Sequence, residues 1–123
     1  MSVNALNTSV SALLANQFRQ DVTANNIANV NTDGFEASSV ATADRAYIND
    51  IGTGTQVTAT YKPERQAPMA MNPVNPGEMV EQSNTDLVVE MTNMISAQNA
   101  YSANIPMART VEEMNQTLMD LKG

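Results

Sequence analysis

Apolar residues recur with helical spacing at both ends of this 123-residue chain, and this pattern limits its fold more than any other feature. Near the amino terminus the spacing alternates between three and four residues, over Val3, Leu6, Val10, Leu13, Gln17, Gln20, Ala24 and Ile27. This heptad spacing places one apolar stripe along a helix, the seam along which a second helix packs in a coiled coil. We predict a first helix over about residues 4 to 29, ended by the turn signal Asp33-Gly34.

A second series occupies the carboxyl-terminal third, at Leu87, Met91, Met94, Gln98, Tyr101, Ile105 and Ala108, and then at Val111, Met114, Leu118 and Leu121. It predicts a helix over about residues 86 to 121, capped from within the polar run 83–86. The step from Ala108 to Val111 is one residue short of the heptad alternation. With Pro106 close by, it predicts a phase slip and a kink.

The middle of the chain, residues 36 to 82, has a different character and contains four of the five prolines. Alternation over residues 56–61 predicts a strand that pairs with residues 46–51, and residues 63–78 read as loop. The predicted fold is mainly α, an antiparallel two-helix coiled coil formed by the chain ends with a short β/loop insert. Segments 1–35 and 83–123 are expected to form one domain, with 36–82 inserted.

The composition excludes several kinds of function. The absence of Cys and His removes thiolate zinc sites and the commonest acid–base group. Six basic residues against thirteen acidic ones, a net charge of −7, leave no basic stripe for nucleic acid. No apolar run approaches the length that spans a bilayer, and residues 1–14 lack a basic leader, so we expect neither membrane insertion nor a cleaved signal.

Two patterns resemble chemical sites and are interpreted otherwise. Residues 29–34 imitate the first half of a calcium loop, but Val40 stands where the loop needs a bidentate glutamate, which favours a plain turn. Glu112 and Glu113 point about 100° apart on a helix and cannot easily converge on one bond. We therefore expect no enzyme activity, no catalytic residues, no cofactor and no metal.

A single seam leaves apolar residues such as Leu14, Phe18 and Ile95 uncovered, so the helix pair is expected to assemble with further chains. Asparagine amides near the helix ends are either caps or contacts that set register between chains. The candidate assembly and packing residues are Val3, Leu6, Val10, Leu13, Asn25, Asn26, Ile27, Asn29, Leu87, Met91, Met94, Gln98, Tyr101, Asn104 and Ile105.

Two long motifs in this sequence also resemble those of a known family. The first is residues 24–35, ANNIANVNTDGF; the second comprises residues 81–87, EQSNTDL, with Glu90, Met91 and residues 97–104, AQNAYSAN. The first closely resembles the amino-terminal motif of bacterial flagellar basal-body rod and hook proteins. The second resembles their carboxyl-terminal motif, and both stand in the right order at the two chain ends.

The resemblance implies a structural subunit whose terminal helices pair and pack with neighbours into the wall of a helical tube. It implies copies of itself and other flagellar axial proteins as partners, and passage through the flagellar export apparatus without a cleaved signal peptide. The implied location is the periplasmic rod of the basal body, and the short middle segment favours a rod subunit of the proximal kind.

One alternative remains open on the sequence. Methionines recur along the second helix, and thioether side chains adapt to irregular partners. A non-catalytic adaptor or export chaperone that grips a helix in a methionine-lined groove would use them. Such a protein would form a stoichiometric complex and would not self-associate as its concentration rises.

Overall fold

The computed structural model describes residues 2–48 and 51–123 as two long helices connected by short antiparallel strand pairs. About half of the chain is helical, so the predicted mainly α class with a β-containing insert is confirmed. The elements are α1 Ser2–Ala28, β1 Ser39–Asp44, β2 Tyr47–Ile48, β3 Ile51–Gly52, β4 Thr55–Tyr61, β5 Met69–Met71, β6 Met79–Glu81 and α2 Leu87–Lys122.

The two helices make the most extensive contact between elements in the described structure. Asn26, near the end of α1, is hydrogen-bonded to Glu90, near the start of α2. Because the contact extends along the helices from this junction, α2 runs back along α1 in the opposite direction. α2 has 36 residues and α1 has 27. Roughly 13 Å of α2 therefore extends beyond the amino end of α1, at 1.5 Å per residue.

The buried face of α1 differs from the predicted seam at every second position. Leu6, Leu13, Gln20 and Ile27 lie half-buried, as that seam requires. The positions between them are shifted by one residue, because the buried side chains are Ser9, Asn16 and Thr23 instead of Val10, Gln17 and Ala24.

The same one-residue shift occurs in α2. Met94, Tyr101 and Ala108 keep their predicted places, whereas Met91, Gln98 and Ile105 are exposed. The positions that face α1 instead are Glu90, Ala97 and Asn104, followed by Val111 and Asn115. This series alternates steps of four and three residues through Pro106, and α2 is one unbroken helix. The predicted phase slip is therefore wrong.

Side-chain size accounts for the shift. Most positions that turn inward hold a smaller residue than the predicted one, as with Ser9 in place of Val10 and Ala97 in place of Gln98, although Thr23 is larger than Ala24. Small side chains let two helix axes approach closely, whereas bulky side chains on both helices would hold them apart. Larger apolar residues such as Val10, Met91 and Ile105 consequently lie exposed on the flanks of the helix pair.

Local signals define the helix ends. The Asp86 carboxylate accepts hydrogen bonds from the backbone N–H groups of Val88 and Val89, at 3.0 and 3.3 Å. It is therefore the cap that begins α2. α1 ends in a turn that leaves Gly34 at φ 71°, a left-handed conformation that favours glycine. The turn signal after the first helix is confirmed.

The insert contains the predicted strand but not its predicted partner. β4 pairs with β1, and β2 pairs with β3, so these four strands form one long hairpin in which Thr58 is an extra residue in the ladder. The pairing of residues 56–61 with 46–51 is wrong, because β1 offers a longer ladder nearer the start of the insert. β5 pairs with β6, so the expected loop over residues 63–78 is wrong in part.

The long hairpin is held against α1. The Ser11 hydroxyl accepts a hydrogen bond from the backbone N–H of Thr55 at 3.1 Å. Gly54 passes so close that a Cβ there would overlap the Ser11 hydroxyl and lie 3.2 Å from the Thr8 Cα. Its φ of 119° also disfavours any other residue. The start of β4 is thereby fixed on the amino-terminal half of α1.

Candidate assembly surface

The described interior holds little apolar bulk. Its buried apolar residues are Ala15, Ala37, Ala97 and Val111, and its buried polar or charged residues are Ser9, Ser11, Asn16, Thr23, Asn26, Ser83 and Glu90. Stabilisation by apolar burial scales with the area removed from water, and alanines contribute little of it. Most of the large apolar side chains remain exposed and are available to other chains.

Asn26 is the centre of the junction between the helices and the insert. Its side chain is buried, and its amide nitrogen donates hydrogen bonds to the Ser38 carbonyl at 2.7 Å and to the Glu90 carboxylate at 3.1 Å. Its amide oxygen accepts a hydrogen bond from the Ser38 backbone N–H at 3.0 Å. This amide therefore makes its hydrogen bonds within its own chain.

Glu90 extends the junction to the loop between β4 and β5. One carboxylate oxygen accepts from Asn26, and the other lies 3.8 Å from a guanidinium nitrogen of Arg65. A buried carboxylate is strongly penalised unless it is paired and hydrogen-bonded, and both partners are present here. The pair therefore connects α2 to residues 62–68 as well as to α1.

A second asparagine joins the segment after α1 to the segment before α2. The Asn84 side chain accepts a hydrogen bond from the Ala37 backbone N–H at 2.7 Å, and its own backbone N–H donates to the Phe35 carbonyl at 3.2 Å. Between the same two segments, the Gly34 backbone N–H donates a hydrogen bond to the Glu81 carbonyl at 2.7 Å. The two sequence motifs thus meet side by side, through backbone and amide contacts.

Sequence reasoning did not identify Glu90, Arg65 and Asn84 as a connected group. A signal was present for Glu90, which lies four residues before Met94 and seven before Ala97, on the heptad series that faces α1. A charged residue on such a series indicates a buried polar contact. No comparable signal marks Arg65, because its position depends on the path of the insert.

Exposed apolar residues form a stripe on α1. Val10, Leu14 and Phe18 follow one another at four-residue spacing on the side that faces the long hairpin, and all three are exposed. Together with Val57 and Arg45 they line an open groove, which we call the α1 groove. Four-residue spacing produces a continuous ridge along a helix, a surface that suits packing against another helix.

α2 carries two further exposed stripes. Leu87, Met91 and Ile95 lie near its start at four-residue spacing, away from α1. At the end of α2, the stripe of Met114, Leu118 and Leu121 is exposed on the last turns of the helix, next to the half-buried Asn115. We call residues 112–122 the α2 overhang.

The structure places the predicted assembly residues in three groups. Buried or half-buried in the described structure are Leu6, Leu13, Asn26, Ile27, Met94, Tyr101 and Asn104. Exposed on the flanks are Val10, Asn25, Leu87, Met91, Gln98 and Ile105. Asn29 is half-buried and its amide nitrogen donates to the Asn25 carbonyl at 2.9 Å, which makes it a local end contact of α1. The side chain of Val3 lies outside the described residues.

In the part of the chain that the structure describes, no group of three or more acidic side chains is placed to hold a metal ion. Residues 29–34 form the turn that follows α1. Neither described helix carries an apolar stretch sufficient to cross a bilayer.

Two family descriptions match this chain, one at each end. "Flagella basal body rod protein" matches residues 6–35, which cover most of α1 and the turn after it. "Flagellar basal body rod FlgEFG protein C-terminal" matches residues 77–121, from the turn before β6 to the end of α2. Both matches include residues of the junction around Asn26 and Glu90.

Curated relatives extend the similarity over nearly the whole chain. The flagellar basal-body rod protein FlgC of Borreliella burgdorferi is 30% identical over 138 residues, covering 90% of this chain and 91% of that protein. FlgC of Salmonella typhimurium is 30% identical over 122 residues, covering 91% of each chain. FlgC of Bacillus subtilis is 22% identical over 144 residues, covering 96% of each.

The similarity therefore includes both helices and the insert between them, and it reaches well beyond the two terminal motifs. Rod proteins of this kind are structural components of the flagellum, which confirms that the chain is not an enzyme. From its two matching ends and its nearly full-length relatives, we conclude that this chain belongs to the flagellar basal-body rod protein family.

Proposed function

We propose that this chain is a structural subunit of the flagellar basal-body rod and that it assembles into a helical tube with copies of itself and other axial proteins. The observation that carries this proposal is that large apolar residues lie mainly on the surface, the reverse of their distribution in an ordinary globular domain. The fully buried side chains of the two helices are small or polar apart from Val111, while Leu14, Ile95 and Leu118 are exposed. Exposed apolar stripes of this extent are typical of surfaces that other chains cover.

The helix pair is proposed to act as one domain, an antiparallel coiled coil made from segments 1–35 and 83–123. Its support is the heptad alternation of the residues that face inward, which continues from Glu90 to Asn115 on α2. The insert over residues 36–82 is proposed to brace this domain through the junction around Asn26. On this view the junction sets the shape of the subunit, and the flanks contact neighbours.

Assembly into a tube requires contacts that do not close on themselves. When two different surface patches of the same protein bind each other, the contact repeats from copy to copy and produces a ring or a helical filament. The exposed stripes of this chain lie on different elements, on α1, on the start of α2 and on its overhang. They therefore supply several distinct patches for contacts of this kind.

Membership of the family is the basis for proposing how the chain is exported and where it is located. We propose that the chain passes through the flagellar export apparatus without a cleaved signal peptide and takes its place in the periplasmic rod. The net charge of −7 argues against nucleic acid as a partner. The relatives, all named as rod proteins, favour this role over that of a helix-binding adaptor or export chaperone.

Imaging of basal bodies tests the proposed role. In a strain that lacks the gene, we expect basal bodies without a complete rod and cells without motility. The wild-type gene should restore both, whereas Ile95→Asp should not, because it places a charge on an exposed apolar stripe of α2. Val74→Asp is the matched control, since Val74 is 81% exposed in the turn between β5 and β6. Complete rods in the deletion strain would refute the proposal.

Light scattering on the purified chain separates a rod subunit from an adaptor. The rod subunit should gain mass as its concentration rises, because its apolar stripes are covered only by other copies. An adaptor should keep a constant mass until its partner is added. A constant mass at all accessible concentrations would contradict self-assembly.

A further inference from the structure

We propose that the α2 overhang of one copy docks into the α1 groove of a second copy of this chain. The inference rests on the proposed self-assembly and names the two surfaces that meet. The apolar contact joins Met114, Leu118 and Leu121 of the overhang to Val10, Leu14 and Phe18 of the groove.

The overhang carries exposed apolar residues past the last buried position of α2. Val111 is the last buried residue of α2, and Met114, Leu118 and Leu121 follow it at steps of three, four and three residues. These steps keep the residues on one side of the helix. Leu118 is 56% exposed and Leu121 is 80% exposed, so this side lacks within its own chain the cover that Val111 has.

The apolar ridge of the α1 groove and the apolar stripe of the overhang are similar in length. Val10, Leu14 and Phe18 form a ridge eight residues long, which spans roughly 12 Å, and the overhang stripe spans seven residues, or roughly 10 Å. Ridges of four-residue spacing pack into the spaces between residues three and four apart on a facing helix. Leu14, at the centre of the ridge, is 62% exposed.

The charges of the two surfaces complement each other. Glu113 and Asp120 stand seven residues apart, two helical turns, and therefore occupy the same flank of the overhang stripe. Arg45 is the charged residue among those that line the α1 groove. Because each chain has a net charge of −7, two copies repel each other overall. This pairing of an acidic flank with an arginine avoids that repulsion.

The occupant of the groove must be a different copy. α2 runs antiparallel to α1, and the overhang extends beyond the amino end of α1, whereas the groove lies farther back along that helix. An unbroken helix cannot return to it. The contact therefore joins two different patches of two chains, leaves the second chain's own overhang free, and repeats from copy to copy.

Cysteine cross-linking tests the contact directly, because the natural chain contains no cysteine. One full-length chain carries Leu14→Cys and another carries Leu118→Cys. Under mild oxidation we expect a disulfide-linked dimer in the mixture and at least tenfold less in either chain alone, because the docked surfaces bring these two positions together. Equal yields in the mixture and in the single variants, or no cross-link in the mixture, would overturn the proposal.

A matched control removes random collision as an explanation. Val74→Cys is more exposed than either test position and lies outside both surfaces. Mixed with Leu118→Cys it should give no more than the background dimer. A yield equal to that of the Leu14→Cys mixture would show that collision forms the cross-link, and the proposal would then be rejected.

Charge reversal supplies a second, independent readout. Arg45→Glu added to the Leu14→Cys chain should lower the cross-link yield several-fold. Glu113→Arg with Asp120→Arg in the partner chain should restore at least part of it. Loss without any recovery would contradict the charge pairing, and circular dichroism of each variant verifies that the helices are intact.

The outcome in cells separates this inference from the proposed function. If deletion of the gene removes the rod but the cysteine mixture does not cross-link, the docking inference fails and the proposed function stands. If complete rods form without the gene, the proposed function fails. If Leu14→Cys in isolated basal bodies cross-links instead to a different axial protein, the second copy is the wrong occupant.

Discussion

Asn26 is only 1% exposed, which is exceptional for an amide side chain. Its amide satisfies both backbone groups of Ser38 and one oxygen of Glu90. Since a buried polar group without a partner is strongly destabilising, each of these groups depends on the others. At the scale of residues, the subunit is held together by a small polar network where most domains have an apolar cluster.

Asn26→Ala should therefore lower the free energy of unfolding by about 2–3 kcal/mol, because it leaves the Ser38 backbone groups and Glu90 without their partner. Urea denaturation followed by circular dichroism measures the change. The neighbouring Asn25→Ala is the control and should change stability by less than about 0.5 kcal/mol, since Asn25 is exposed. Equal losses in the two variants would show that the network contributes nothing specific.

At the scale of elements, two features matter: one contact between the insert and α1, and one proline inside α2. The long hairpin lies against α1 at Gly54, where only a residue without a side chain fits. α2 remains one helix through Pro106, which cannot donate the backbone hydrogen bond to Ser102 that a helix normally has there. The first contact positions the insert, and the second feature leaves a weak point in the longest element.

Gly54→Ala should destabilise the chain by about 2–4 kcal/mol, because it combines an unfavourable φ with overlap against Ser11 and the Thr8 backbone. Gly77→Ala is the matched control, with a similar positive φ of 104° but open space around it. Its loss should be only about 1–2 kcal/mol, the strain of the backbone alone. Chemical denaturation compares the two, and a Gly77 loss equal to the Gly54 loss would contradict close docking.

Pro106→Ala should raise the stability of the chain by about 1–3 kcal/mol, since it restores the backbone N–H that α2 lacks and removes the ring from the helix interior. Thermal unfolding of the two chains at low concentration measures the difference. Arg109→Ala, one turn later and also exposed, should stay within about 0.5 kcal/mol. Unchanged or reduced stability for the proline variant would mean that Pro106 is required by the packing of α2.

At the scale of the whole molecule, the chain is elongated along α2, whose 36 residues span roughly 54 Å. The usual scaling with chain length gives a compact domain of this length a radius of gyration of about 14 Å. An elongated shape exposes more surface per residue, and much of the surface here is apolar. Stability of the isolated chain should consequently be modest, and assembly should increase it by mass action.

Small-angle X-ray scattering at low concentration should give a radius of gyration above about 16 Å, because α2 alone is longer than a compact domain is wide. Size-exclusion separation immediately before measurement restricts the result to single chains. A value near 14 Å would indicate that the chain folds back on itself in solution, and the α2 overhang would then not be available to a second copy.

The sequence by itself determined the two helices and their approximate limits. Apolar periodicity sustained over more than twenty residues is a strong local signal, and a cap within residues 83–86 and the turn at Gly34 are read from residue type alone, whereas the structure identifies Asp86 as the cap. The residues of the two terminal motifs likewise indicated the family. The strand over residues 56–61 was found as well, because its alternation is local.

Tertiary structure decided which helix faces meet, which strand pairs with β4, and how Asn26, Arg65 and Glu90 come together. An apolar pattern reports which positions avoid water, but it does not distinguish a partner within the chain from a partner outside it. How closely two helices approach depends on the size of the side chains between them, so residues such as Ser9 and Ala97 turned inward and Met91 turned outward. Contacts between distant segments depend on the path of the whole chain, and local residue patterns do not contain that path.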